Sequence, residues 1–101
     1  MKKKKKPKLY YYSIERYELT ELFSFLKDCN KRYKKPDIKI ASSMTTIWII
    51  SNKDLYAPLQ EDFKYKYREL KNRPYPERRY QCRWIDYKIK LKTLRKILKR
   101  R

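Results

Sequence analysis

From Thr45 to Ser51 the chain reads Thr-Thr-Ile-Trp-Ile-Ile-Ser, a β-branched and aromatic run without helical period. Just upstream, Ile38 and Ile40 alternate with polar neighbours. Both stretches predict strands, since branched side chains fit a pleated surface and a period of two sends alternate residues to opposite faces. Earlier, Leu19, Leu22, Phe23 and Leu26 fall at i, i+3, i+4 and i+7, the stripe of an amphipathic helix. Ser13 is its expected N-cap, and Glu15, Glu18 and Glu21 lie in its first turns, where the positive end of the helix dipole favours acids. Asp28-Cys29-Asn30 runs the helix down, and Lys34-Lys35-Pro36 stops it before the first strand.

Asn52-Lys53-Asp54 separates the Thr45 to Ser51 run from Leu55-Tyr56-Ala57-Pro58-Leu59, the pattern of a hairpin. Asn52 would take the left-handed turn conformation, and Pro58 would put the second strand at a sheet edge. Glu61 to Leu70 predicts a short second helix opened by two acids and closed by Asn72. Pro74 and Pro76 then force extended backbone, a rigid exit from the body. In the last stretch Tyr87, Leu91, Leu94 and Leu98 share one helical face, although Tyr87, Ile89 and Leu91 also alternate. The expected fold is α+β: a small antiparallel sheet with an N-terminal helix and a short second helix, flanked by basic N- and C-terminal arms. Residues 1–12 would form the basic N-terminal arm, 13–76 the body, and 77–101 a basic C-terminal tail, partly helical.

Charge sharpens this division. Residues 1–8 hold six Lys and no acid, residues 9–62 balance eight bases against eight acids, and residues 63–101 carry sixteen bases against three acids. The formal charge of +19 on 101 residues opposes compaction, so the chain is suited to a polyanion that neutralises it. Nucleic acid is the first such partner and an anionic membrane surface the second. Hydrophobic residues still make up 41% of the chain, which is too apolar for a wholly disordered tail.

Chemistry is limited by what the chain lacks. With no His, the commonest general base is missing, along with Ser-His and Cys-His nucleophilic pairs. Cys29 and Cys82 stand far apart without zinc-site spacing, so the expectation is no enzyme, no cofactor and no metal. The longest strictly aliphatic or aromatic run, Ile47 to Ile50, is far below the roughly 20 residues that cross a bilayer. Gly is absent while Lys, Tyr, Ile and Leu abound, as AT-biased coding would produce. That points to an organelle, a mitochondrion first, or another AT-rich genome. The start lacks the apolar stretch of a secretory signal, so the protein is expected to work where it is made.

Read in order, Lys34-Lys35-Pro36 leads a strand, Asn52 and Pro58 follow, an acid-initiated helix comes next, and Pro76-Glu77-Arg78-Arg79-Tyr80 opens a basic tail. This succession, over about residues 14 to 81, resembles the S-nineteen family of small-subunit ribosomal proteins. Lys53 and Asn72 stand where that family has Gly, Cys82-Arg83 replaces a Gly-His pair, and a loop between Ser43 and Ile47 is shortened. The resemblance implies a structural constituent of the small ribosomal subunit. Such a protein binds rRNA of the head, the 3′ domain, neighbours the S-thirteen protein, and sends a basic tail towards the tRNA sites. Lys34, Lys35, Arg78 and Tyr80 carry over from the family's motif as rRNA-binding residues. Charge and placement add Lys39, Lys53, Lys64, Lys66, Arg68, Lys71, Arg73, Arg79 and Arg83. Two other readings stay open: a basic accessory subunit of an organellar membrane complex, which would set Trp48, Trp84 and the tail against anionic lipid, and a general nucleic-acid-binding protein.

Overall fold

The computed structural model describes residues 8–64 and 66–86. Lys2 to Lys6 and the helical face of Tyr87, Leu91, Leu94 and Leu98 lie outside the described residues. The elements in chain order are β1 (Tyr10–Glu15), α1 (Leu19–Arg32), β2 (Ile38–Ser42), β3 (Thr46–Ser51), α2 (Tyr56–Phe63), β4 (Tyr67–Leu70), α3 (Pro76–Arg79) and β5 (Ile85–Asp86). Their strands form one antiparallel sheet ordered β4-β1-β3-β2-β5, an α+β fold. The first six elements follow the β-α-β-β-α-β order of a ferredoxin-like split βαβ unit, with β5 added on the edge beside β2.

Strand alternation makes this sheet two-sided. Tyr12, Ile49, Ile40 and Ile85 are register partners across four strands, and Ile14 pairs with Ile47 beside them. All six are buried and join Leu22, Phe23, Phe25, Leu26, Leu55, Leu59 and Phe63 in one cluster under α1 and α2. Each fully buried side chain of this kind is worth roughly 1.5–3 kcal/mol, so this single layer must carry most of the stability of a small, strongly charged unit. Phe25 and Phe63 meet in a tilted ring contact at 5.4 Å that joins the two helices. Outside the core, Ser24 Oγ donates to Asp62 Oδ1 at 3.3 Å, and Arg32 bridges Asp28 and Glu61.

Two polar points fix the frame. The Tyr12 hydroxyl accepts from the Leu55 backbone N–H at 3.0 Å and donates to Asp54 Oδ1 at 3.4 Å, which ties β1 to the start of α2. Asn52 closes the β2–β3 pair from the other end: its Oδ1 accepts from Asp37 N–H at 2.8 Å and its own N–H donates to Asp37 O at 3.1 Å.

Several expectations are corrected here. Residues 10–12 are not arm but the first half of a central strand, because Tyr12 supplies a large apolar body for the core. Ser13 lies within β1 and caps nothing; α1 starts after Glu18, whose N–H donates to Glu21 Oε1 at 3.1 Å, and runs past Asn30 to Arg32. The hairpin joins β2 to β3, with Ser43 N–H donating to Thr46 O at 2.8 Å, and does not turn at Asn52. Leu55 to Leu59 is not a strand. It opens α2, where Pro58 sits in the first turn and loses no intrahelical bond. The helix expected over Glu61 to Leu70 stops at Phe63, and Tyr67–Leu70 becomes edge strand β4 against β1. Pro76 begins the short α3, so the exit expected at Pro74-Pro76 leads back onto the sheet, and residues 77–86 of the expected tail belong to the folded unit.

With no glycine available, positive φ falls on Arg16, Lys35, Lys64 and Gln81, and not on Asn52 or Asn72. Lys64, at φ 51 and ψ −111, is strained, since that region suits a residue without Cβ. Replacing Lys64→Gly should therefore raise unfolding free energy by about 1 kcal/mol, strain relief exceeding the entropic cost of glycine, as read from urea midpoints. A second expectation concerns pH. Burial, with the nearby Asp28 charge, pushes the Cys29 thiol from 9.0 up to about 12, and burial also raises the Tyr12 phenol. Both bind their protons more tightly when folded, so stability is full below about pH 9 and falls as pH rises. Each group should contribute a slope of roughly 1.4 kcal/mol per pH unit. Urea titrations at increasing pH should show this decline, and Cys29→Ala should make it shallower.

Candidate nucleic-acid interface

The sheet face turned away from α1 and α2 is set by the other half of the alternation. One row across it reads Leu70, Tyr11, Ile50, Lys39 and Asp86, and the next reads Arg68, Ser13, Trp48 and Ala41. Over the β2–β3 half of this face folds the segment from Arg73 to Trp84. Its helix α3 lies against β2, and Tyr80 stacks on Trp48 with ring centroids 5.2 Å apart and planes at 27°. Beneath this cover Ala41 and Ile50 are buried, as are Pro76 and Cys82 within the segment itself.

Glu77 clasps the segment together. Its Oε1 accepts from Arg73 Nη1 at 2.9 Å and its Oε2 from the Trp84 indole N–H at 2.9 Å. Burial pushes the Glu77 carboxyl up, but its own backbone N–H, Arg73 and Trp84 together outweigh this and hold it below its ordinary value. The Arg73 guanidinium lies 4.5 Å from the Tyr75 ring centroid and 5.4 Å from that of Trp84. Arg78 stands 5.3 Å from the Tyr75 centroid, and Arg79 stands 5.8 Å from that of Tyr80. Such contacts are worth about 0.5–1 kcal/mol each at exposed sites, enough to orient a guanidinium without neutralising it. The remaining hydrogen-bond donors of Arg78 and Arg79 stay available to an anion.

Of the residues expected to bind RNA, the fold brings Lys39, Arg68, Arg73, Arg78, Arg79 and Tyr80 to this one side. Arg83, exposed, lies in the same covering segment. Arg73 is committed to Glu77 and to Pro74 O, so it acts as a fastener more than as a free cation. Lys34 and Lys35 are exposed on the α1–β2 connection, and Lys53 is half-buried in the β3–α2 connection rather than at a hairpin tip. Its backbone is held there by Ser51 Oγ. Lys64 ends α2, and Lys66 pairs with Glu21 at 3.3 Å on the helical side; neither it nor Arg68 nor Lys71 lines a helix. Lys71 instead lines a cleft of about 300 Å³ with Lys8, Tyr10 and Glu69.

The acids lie on both sides, with Glu15, Glu77 and Asp86 on the outer one. Glu21, Asp28, Glu61 and Asp62 lie on the helical layer, three of them with cationic partners and Asp62 with Ser24. Tyr11, Trp48, Tyr75 and Trp84 were not among the residues expected to bind RNA, although one alternative set Trp48 and Trp84 against lipid. Trp48 had a readable signal, its opposite phase to Ile47 and Ile49. Tyr75 and Trp84 had none, because they matter only through the arginines and the Glu77 carboxylate they face.

Comparison of the chain with protein-family models, with curated proteins and with solved structures finds no match. Among the described residues no helix is long and apolar enough to cross a membrane. Replacing Glu77→Ala should release Arg73 and the Trp84 indole together. The expected outcome is a loss of about 1 kcal/mol in urea unfolding and a red shift of tryptophan emission. Unchanged emission and stability would show that Glu77 does not hold the segment.

Proposed function

We propose that this protein is a non-catalytic RNA-binding component of a ribonucleoprotein particle. The small-subunit rRNA of a mitochondrial or similarly AT-biased ribosome is its expected partner. The observation that carries this reading is the placement of cations without ion-pair partners: Glu21, Asp28 and Glu61 are paired on the helical layer and Glu77 with Arg73, while Lys39, Arg68, Arg78, Arg79 and Arg83 share no ion pair among the described residues. A polyanion lying along the outer sheet face would meet these cations without displacing an existing partner.

The ribosomal part of the proposal rests on the order of motifs from Lys34 to Tyr80. The fold gives some of those motifs other roles, since Asn52 closes a strand pair and Glu61 lies inside a helix. The charge argument does not depend on them. Contact with the S-thirteen protein and with tRNA through the basic tail belongs to the ribosomal part alone.

The test is binding of the full chain to a transcript of the small-subunit 3′ domain and to duplex DNA between about 50 and 200 mM salt. Preference for the transcript is expected. The Arg78→Ala, Arg79→Ala double variant should weaken binding and reduce the slope of log K against log salt by about one to two. Equal affinity for duplex DNA would favour a general nucleic-acid binder, and no binding at the lower salt would end the proposal.

A further inference from the structure

We infer that the outer sheet face takes unpaired RNA, one base of which extends the Trp48–Tyr80 stack. This rests on the RNA-binding reading above and specifies the form of the nucleic acid. Trp48 rises from β3, a central strand, and Tyr80 lies over it nearly parallel at 5.2 Å. Tyr80 nevertheless keeps 50% of its surface exposed, so ring area remains for a second stacking partner. A tyrosine already held on one side by an indole has little rotamer freedom left to lose, which lowers the cost of accepting a base.

The surroundings match the rest of a nucleotide. The Arg79 guanidinium lies over the Tyr80 ring, 5.8 Å from its centroid, and a base entering the stack would shift it to the ring margin; Arg78, one residue earlier in the same short helix, lies over Tyr75, which is 53% exposed. Cations at the margin of an aromatic surface are where phosphates flanking a stacked base would run. Farther along the same face, Arg68 lies in register with Trp48 through Ser13, two strands away and so about 10 Å off at ordinary strand spacing. Lys39 is the register partner of Ile50, two residues along β3 from Trp48. Of the acids on this side, Glu77 is engaged by Arg73 and Trp84, while Asp86 is the register partner of Lys39 at the β5 edge and Glu15 that of Thr46, two residues along β3 from Trp48 in the direction away from Lys39.

Base pairing decides the class of ligand. In a duplex each base is covered on both faces by its neighbours, so a protein ring cannot stack on it without unstacking the helix. A single strand can splay a base onto an exposed ring. Phosphate contacts alone would not distinguish the two forms, whereas a stacking tyrosine does.

The experiment uses the full chain with a short labelled RNA of mixed sequence, free and annealed to its complement, at one fixed salt concentration. The single strand should bind more tightly. Tyr80→Ala should weaken that binding about tenfold or more with little effect on the duplex, while Tyr80→Phe keeps it. Ultraviolet crosslinking of the unmodified protein should place an adduct on the peptide containing Tyr80, a readout independent of how the variants fold. Strong RNA binding with no preference for the single strand, an unaffected Tyr80→Ala variant, or adducts only elsewhere would overturn this inference and leave the proposed function standing. Failure of the unmodified chain to bind either RNA would overturn both.

Discussion

The period-two alternation of the central strands β1 and β3 is the constraint on which the other features depend. With Tyr12, Ile14, Ile47 and Ile49 directed into one apolar layer, Tyr11, Ser13, Trp48 and Ile50 must face the other way. A slip of one residue would exchange the two sets, burying Trp48 under the helices and exposing isoleucines. The Tyr12 hydroxyl, held by Leu55 and Asp54, opposes such a slip because it has partners only in the observed register. A large apolar residue with one polar tip thus serves both the core and the alignment of the strand.

The same alternation lets a chain of high net charge fold at all. Compact packing of so many cations is unfavourable unless they are spread, paired or directed at a counter-charge. The helical layer uses pairing, with Arg32 and Lys66 set against Asp28, Glu61 and Glu21. The outer face uses aromatic surface: guanidinium groups rest near Tyr75, Tyr80 and Trp84 without losing their charge. Stability on one side and a cationic, aromatic face on the other are therefore two results of one strand pattern.

Absence of glycine shapes the connections more than the elements. Left-handed backbone is carried by Arg16, Lys35, Lys64 and Gln81, long side chains that pay a steric cost glycine would avoid. Each of the four lies outside the strands and helices, where the chain changes direction. The covering segment is assembled similarly, from Pro76, Glu77 and the rings around them rather than from a designed turn. It adds β5 to the sheet edge, which shields β2 with only two residues of pairing.

The chain by itself determined the α+β class, the apolar stripe of α1, strands β2 and β3, and the cationic character of the Arg78–Arg83 cluster, because periodicity and charge are local properties. It did not reveal that Tyr10–Glu15 is a strand, since three tyrosines after a lysine run carry no pattern until β3 and β4 supply partners on both sides. Nor did it separate α2 from β4, as Glu61 and Asp62 invite a helix start that packing of Leu59 and Phe63 on α1 had already made a helix end. Lys39 and Arg68 lie far apart in the chain, and only the sheet order brings them to one face with Arg78, Arg79 and Tyr80. That placement belongs to the tertiary structure, because strand order and the folding back of residues 73–84 are decided by which surfaces can be buried together, a non-local condition that residue spacing does not encode.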